Sequence, residues 1–371
     1  MEIYFDNSAT TRPYREVCDR MAEVAFEVYG NPSSLHTKGM EAEHILKDAR
    51  AVIAGKIGCR PDEIYFTSGG TENANTAIFG SVSASRKNHI ITTKGEHPCV
   101  LEPFKKLEKD GYRVTYISLD ENGFPDCDEL ADSVCEDTAL VCMMHVNNEV
   151  GAICDLEKMG RIIKRKNPET KFFADCVQSF CKIPVNAAWC DMISISGHKI
   201  HGPKGIGALY VKKGVRLHPR VFGGGQEKNM RPGTENVPAI AGLGCAVSMN
   251  PGFKDNGVKK YMAERILSEI PNTFVNNADF ENSADYILNV SFPGARSEVI
   301  LHFLESKGVF VSSGSACSSN KPGKSHVLTA MGLDNKRIDS SIRFSFCSDN
   351  TIEEADRAIE VLKEVLPNVR R

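Results

Sequence analysis

The sequence predicts an α/β protein with a mostly parallel central sheet flanked by helices, followed by a smaller α+β domain. Three observations carry this expectation. Short β-rich runs alternate with longer helical patterns between Ile64 and Val211. The apolar residues in the short runs are nearly unbroken, as in strands covered on both faces. The alternation then changes character after Gly223-Gly224-Gly225.

In chain order, strands are predicted at Ile64–Thr67, His89–Thr93, Arg113–Ser118, Leu140–His145, Lys171–Asp175, Asp191–Ser194 and Gly207–Val211. Helices are predicted between them at Thr71–Ser83, Cys99–Lys109 and Leu156–Lys166. Such alternation argues for a parallel sheet with helices on both sides, and ligands bind such sheets beyond the carboxyl ends of the strands. A helical region follows the three glycines, and NPGFKDNG at Asn250–Gly257 reads as a boundary. A long helix near Lys259–Ile270 and strands near Tyr286–Ser291, Val309–Ser312 and Ile342–Phe346 supply the second domain. A chain of 371 residues is long enough for both.

Composition narrows the class. Hydrophobic residues at 41%, charged residues at 25% and a net charge of −3 give no basic surface for nucleic acid and no membrane anchor. The start, MEIYFDNSATT, lacks a basic segment followed by an apolar run, so no signal peptide is expected, and no apolar stretch is long enough to span a bilayer. The 13 cysteines are odd in number and none forms C-x-x-C, which points to buried thiols in a reducing cytoplasm rather than a disulfide framework.

Five segments carry chemistry. In ISISGHKIHGPKGIGALYV, Lys199 follows a strand end among glycines. A partly desolvated lysine there can form a Schiff base, although an exposed loop lysine fits the same pattern. His198 and His201 lack a third ligand of suitable spacing, so no metal is expected. In FFADCVQSF, Asp175 ends another strand and Gln178 follows one turn on. The carboxylate suits either a protonated pyridine nitrogen or a helix N-cap. In FTSGGTENANTAIFG, Gly69, Gly70 and Thr71 present N–H groups and a hydroxyl at a helix start, fit for a phosphate or simply for capping. In VSSGSACSSNKPGKSH, Cys317 lies among small and polar residues in a loop broken by Gly314, Pro322 and Gly323. Lys321 and Lys324 favour its thiolate, and an inert exposed thiol is the alternative. In SSIRFSF, Arg343 alternates with apolar residues and suits a bidentate carboxylate or plain solvent.

Together these segments resemble a known family. NSATT, GNPSSLH, TSGGTEN, EHPCVL, HVNNEVGAI, SGHKIHGPKGIGALYV, RPGTENV, SSGSACSS and SIRFSF occur in order between Tyr4 and Phe346. They resemble the cysteine desulfurases, class V aminotransferase relatives among fold-type-I pyridoxal-phosphate enzymes. The stretch Ser318–His326 resembles the long active-site loop of the nitrogen-fixation and iron–sulfur-cluster type.

The resemblance implies pyridoxal 5'-phosphate as cofactor and a role for each matching residue. Lys199 matches the Schiff-base lysine, Asp175 the partner of the pyridine nitrogen and Gln178 that of the ring hydroxyl. His97 matches a histidine stacked on the ring that also handles protons. Gly70, Thr71, Ser196 and His198 match phosphate ligands, with Thr234 reaching the phosphate from the other subunit of a homodimer. Asn147 matches a cofactor and substrate contact. Arg343, helped by Asn31, matches the ligand of the substrate carboxylate, and Cys317 matches the sulfur acceptor. The implied domains are a cofactor-binding domain over 13–252 and a small domain of 1–12 with 253–371, carrying the cysteine loop at 312–326.

The implied reaction converts L-cysteine to L-alanine. Sulfur passes to Cys317 as a persulfide and then to an acceptor protein, for iron–sulfur clusters or for tRNA or cofactor thiolation, in the cytoplasm. A selenocysteine lyase, another class V enzyme and a non-catalytic sulfur-transfer partner are the competing readings. The thiol loop argues against transamination, and intact Lys199, Asp175 and Cys317 argue against an idle fold.

Two departures stand out. Cys176 and Cys181 occupy positions where the family usually has alanine and glycine, placing extra thiols near the expected cofactor. Arg371 ends the chain 25 residues after Phe346, where housekeeping relatives carry a longer tail toward the cluster scaffold, so weakened scaffold binding is expected.

Overall fold

The structure is a computed structural model that describes residues 2–313 and 324–370. An N-terminal arm forms β1 (Ile3–Tyr4) and leads to α1 (Arg15–Glu27) and α2 (Thr37–Ile57). There follow β2 (Ile64–Thr67), α3 (Gly70–Ser83), β3 (His89–Thr93), α4 (Pro98–Lys109), β4 (Arg113–Ile117), α5 (Cys127–Ser133), β5 (Thr138–Met144) and α6 (Leu156–Lys166). Then come β6 (Lys171–Asp175), β7 (Met192–Ser196), β8 (Gly207–Val211) and α7 (Val237–Met249).

Strands β2 to β8 form one seven-stranded sheet in the order β2-β8-β7-β6-β5-β3-β4. Pairings among β3 to β7 are parallel, and β8 runs antiparallel to both its neighbours. The sheet is thus mostly parallel, as predicted, with a reversed strand near one edge. Predicted and observed strands differ by a residue or two at their ends, within the usual play of such boundaries.

The side-chain period of two explains the double covering. Along β5, Val141 and Met143 join a core with α2, α6 and α7, while Leu140 and Cys142 join a core with α3 and α4 on the other face. Cys142 is fully buried there and behaves as a small hydrophobe. All twelve cysteines among the described residues are free thiols.

The second half contains α8 (Val258–Glu269), β9 (Phe274–Val275), β10 (Ile287–Ser291), α9 (Ser297–Ser306), β11 (Val309–Phe310) and β12 (Ser312–Ser313). It ends with α10 (His326–Ala330), α11 (Asn335–Asp339), β13 (Ser341–Ser345) and α12 (Ile352–Val369). An antiparallel sheet β12-β13-β10-β9 packs in a separate core with α8, α9 and α12. The strand predicted at Val309–Ser312 is in fact two. Strand β11 pairs with β1 of the arm and β12 pairs with β13, so the chain breaks at Val311 to serve two partners.

Residues 250–257 contain neither helix nor strand and separate α7, in the first core, from α8, in the second. The arm joins the second core through Ile3 and Phe5. It then turns toward β7, where Thr11 N–H donates to His198 O at 2.8 Å.

Candidate active site

A cavity of about 270 Å³ opens at the carboxyl ends of β5, β6 and β7, lined there by Met144, Asp175 and Ser196. Parallel strands place ligand sites at that edge. Each side of the cavity arises from a local device.

Helix α3 supplies one wall through Gly70 and Thr71. Its N-cap Gly69 has φ 144°, a conformation open to glycine. A Cβ at Gly70 would come within 2.9 Å of Val177 Cγ2. The first N–H groups of the helix lack intrahelical acceptors and carry the positive end of its dipole. Asn73 fixes the helix by donating to Ile195 O and Ala208 O, both at 3.0 Å.

Asp175 ends β6 and is buried. Its Oδ1 accepts from Val177 N–H at 3.0 Å, and Cys99 Sγ approaches Oδ2 at 3.8 Å. Burial raises its pKa, and the Val177 hydrogen bond, Cys99 and Lys199 oppose the rise. A cationic partner in the cavity would favour the carboxylate. Gln178, one turn on, donates through Nε2 to Ser8 O at 2.9 Å, and Oε1 accepts from Lys182 Nζ at 3.4 Å.

His97 caps α4, with Pro98 at the first helical position. Its Nδ1 accepts from Cys99 N–H at 3.2 Å, so the neutral ring carries its proton on Nε2. Burial, with Lys199 and His326 adding to it, pushes its pKa down to about 4, which keeps the ring neutral near pH 7.

Lys199 ends a short turn after β7. Its amine donates to Ser8 O and, at 2.8 Å, to Ala9 O, both in the N-terminal arm. Next to it, His198 Nδ1 lies 3.2 Å from Thr10 Oγ1, and burial pushes its pKa down to about 4. Across the cavity, Arg343 on β13 is buried; Nη2 donates to Asp6 Oδ1 at 2.9 Å and Nη1 to Asn148 O at 3.0 Å.

The cavity therefore gathers Lys199, Asp175, Gln178, His97, Gly70, Thr71, Ser196, His198 and Arg343 from segments far apart in sequence. Asn147 is placed differently. Its Oδ1 accepts from Glu149 and Val150 N–H and its Nδ2 donates to Gly95 O, so it shapes the turn while Asn148 lines the cavity. Asn31 and Thr234 are exposed and stand outside the cavity lining among the described residues. Cys317, with Lys321 and the breakers Gly314, Pro322 and Gly323, lies outside the described residues. Lys324 lies within them and donates to Asn335 Oδ1 at 2.7 Å.

The extra thiols are also sorted. Cys176 packs in the core with α2, α6 and α7 rather than facing the cavity, and burial pushes its pKa up. Cys181 has φ 59°, which explains why glycine suits that position, and it lines a second cavity of about 290 Å³ that shares Lys199. Among the described residues, the thiol that does face the first cavity is Cys99. Sequence reasoning also missed Glu96 and Glu149, both fully buried carboxyls beside the site, because nothing local distinguishes them from surface glutamates.

Comparisons with known proteins agree with this architecture. The aminotransferase class-V family model matches residues 3–358. A cysteine desulfurase of Nostoc sp. (strain PCC 7120 / SAG 25.82 / UTEX 2576) is 43% identical over 377 residues, covering 99% of this chain and 94% of that protein. A solved structure described as a NifS-like protein is similar at a TM-score of 0.90 with 38% identity, covering 99% of this chain and 100% of that one. Another, described as SspA in complex with cysteine, is similar at a TM-score of 0.84 with 34% identity, covering 94% and 99%. The fold is that of the fold-type-I pyridoxal-phosphate enzymes. Within that class, the chain belongs to the aminotransferase class-V family.

The residues present fit pyridoxal 5'-phosphate. The cavity combines a lysine amine, a buried carboxylate and a helix N-terminus flanked by Ser196 and His198. These are the groups that an aldehyde, a protonated pyridine nitrogen and a phosphate require: an amine, an acceptor carboxylate and N–H donors.

Proposed function

We propose that this protein is a pyridoxal-phosphate-dependent cysteine desulfurase, converting L-cysteine to L-alanine and passing the sulfur on. The observation that carries the reading is the convergence of Lys199, Asp175 and Arg343 on one cavity of about 270 Å³. Lys199 holds the cofactor covalently. Asp175, Gln178 and His97 would hold its ring, and Gly70, Thr71, Ser196 and His198 its phosphate. When bound, the cofactor supplies an electron sink for charge developing at the substrate Cα.

The chain's own residues do the rest. Arg343 binds and orients the substrate carboxylate, helped by Asn31, while Asn147 braces the turn that brings Asn148 to the cavity. Lys199 Nζ, as a free amine, would take the Cα proton and return a proton later. Cys317 attacks the substrate sulfur as a thiolate; the S–S bond forms as the substrate C–S bond breaks, leaving a persulfide on Cys317, and the electron pair of the C–S bond stays with the carbon skeleton, which takes up a proton. The carbon skeleton leaves as L-alanine.

The functional unit is a homodimer in which Thr234 reaches the partner's phosphate site. The cofactor-binding domain spans 13–252, and 1–12 with 253–371 form the small domain. A cluster scaffold or tRNA-thiolation enzyme takes the persulfide sulfur in the cytoplasm. Among the described residues no helix is long and apolar enough to cross a membrane.

The test is direct. The purified protein, loaded with cofactor and given L-cysteine, should form L-alanine and a protein persulfide in equal amounts. No alanine from L-cysteine would sink the reading. Persulfide transfer to purified candidate acceptors would then identify the partner.

A further inference from the structure

We propose that Asp6, in the N-terminal arm, is a positioning residue for the substrate carboxylate and acts through Arg343. The proposal rests on the reading of Arg343 as the carboxylate ligand.

Arg343 is 4% exposed at its side chain and Asp6 is 21% exposed. A guanidinium carries five N–H donors in a rigid plane. Asp6 Oδ1 takes one from Nη2 at 2.9 Å, and Asn148 O takes one from Nη1 at 3.0 Å. Nε is buried and has no hydrogen-bond partner among the described residues. The plane is thus pinned at two points with donors to spare, so an incoming carboxylate need not displace Asp6. Asn148 O is neutral, so Asp6 provides the charge-assisted bond that keeps this buried cation paired.

Asp6 is itself held in place. It bridges to Ser345 on β13, two residues from Arg343, and its carbonyl accepts from Ala9 and Thr10 N–H at 3.0 and 3.4 Å. The same turn presents Ser8 O and Ala9 O to Lys199. One short segment therefore sets Arg343 and Lys199 relative to each other, and with them the two ends of the substrate's amino-acid moiety. Asp6 stands outside the cavity lining among the described residues and reaches the site through Arg343.

The test compares Asp6→Ala, Asp6→Asn and Arg343→Gln in the cofactor-loaded protein. Asp6→Ala should raise KM for L-cysteine roughly tenfold, the effect of losing one charge-assisted hydrogen bond, with kcat changed by less than about threefold. Asp6→Asn keeps an acceptor and should fall in between. Titrations followed by the visible spectrum should show weaker binding of L-alanine in Asp6→Ala and unchanged binding of cysteamine, which lacks the carboxylate.

Arg343→Gln should raise KM at least as much. If it does and Asp6→Ala leaves KM unchanged or lower, the role of Asp6 is overturned. Equal weakening toward L-alanine and cysteamine would also overturn it, because a general structural fault would act on both. If Arg343→Gln leaves KM unchanged, the reading of Arg343 itself fails. Should Asp6→Ala not fold, Asp6→Asn carries the same comparisons.

Discussion

The hydroxyl of Ser325 donates to Oε2 of Glu149 at 2.5 Å across 176 residues of sequence. Ser325 also caps α10, accepting from Leu328 N–H at 3.0 Å. Its neighbour His326 donates through Nε2 to Glu96 O at 2.8 Å. The chain just past residues 314–323 is therefore docked on two loops that also carry site residues. Glu96 precedes His97, and Glu149 follows Asn147 and Asn148.

Glu149 is fully buried. Burial pushes its pKa up from the usual 4.5 to about 7, against the opposing effects of Ser325 and Arg343. Glu96 is pushed to about 8 for the same reason. The folded protein thus holds these protons to higher pH than the unfolded chain. The stability they contribute is complete below 4.5 and is lost as pH rises through about 7 and about 8. Glu149→Gln cannot ionise and still accepts from Ser325. Between about pH 6 and 8.5 the variant should lose less stability than the parent, by on the order of 1 kcal/mol. Melting curves at both pH values check this, and identical losses would count against it.

On the acid side the buried histidines govern. His89, His97, His145 and His198 are pushed down to about 4 by burial, so the unfolded chain takes up their protons first. Their contribution is present above 6.5 and is lost as pH falls through about 4. Cofactor-free protein should therefore lose melting temperature as pH falls from about 6.5 toward 4, the range in which the unfolded chain protonates these rings first. A maximum well below pH 5 would contradict the assignment of neutral buried rings.

Lys199→Ala should abolish the visible band of covalently held cofactor and lower alanine formation by on the order of 10³-fold or more. The spectrum after dialysis and borohydride treatment reads this. A cofactor that remains fixed to the variant by reduction would move the attachment to another lysine.

Cys317→Ser should leave cofactor loading intact while removing sulfur transfer. The cofactor-site residues lie in other segments, and a serine hydroxyl is a far poorer nucleophile toward sulfur than a thiolate. Adding L-cysteine should still change the spectrum, while persulfide and alanine fall by on the order of 10²-fold. Mass spectrometry locates any sulfur that remains. Full turnover with the persulfide on Cys99, the thiol that lines the cavity, would reassign the acceptor.

Sedimentation should give a homodimer, twice the 40.8 kDa chain mass. Single-chain exposures of 79% for Phe26, 98% for Leu35 and 84% for Phe222 leave large apolar side chains without cover. Thr234→Ala should weaken cofactor binding roughly tenfold, as expected for one lost phosphate hydrogen bond, although Thr234 is exposed in the single chain. A monomer that holds its cofactor fully would refute the shared site.

By itself the sequence determined the seven strands of the large sheet and the helices α3, α4, α6 and α8. Nearly unbroken apolar runs marked β2 through β8, and strand ends marked Lys199 and Asp175, because burial pattern and turn chemistry are local properties. The grouping of Lys199, Asp175, His97 and Arg343 came from resemblance, and the cavity brings them together. Other features only the tertiary structure decided. The turn assigns cavity lining to Asn148 and bracing to Asn147, a distinction invisible in NNE. One predicted strand became β11 and β12 because two separate partners claim it. Cys176 turns into the core while Cys99 lines the cavity, since which face a thiol takes depends on what packs over it. The pairs Asp6–Arg343 and Glu149–Ser325 span 337 and 176 residues. Such pairings depend on chain topology and shared burial, and no local sequence pattern encodes them.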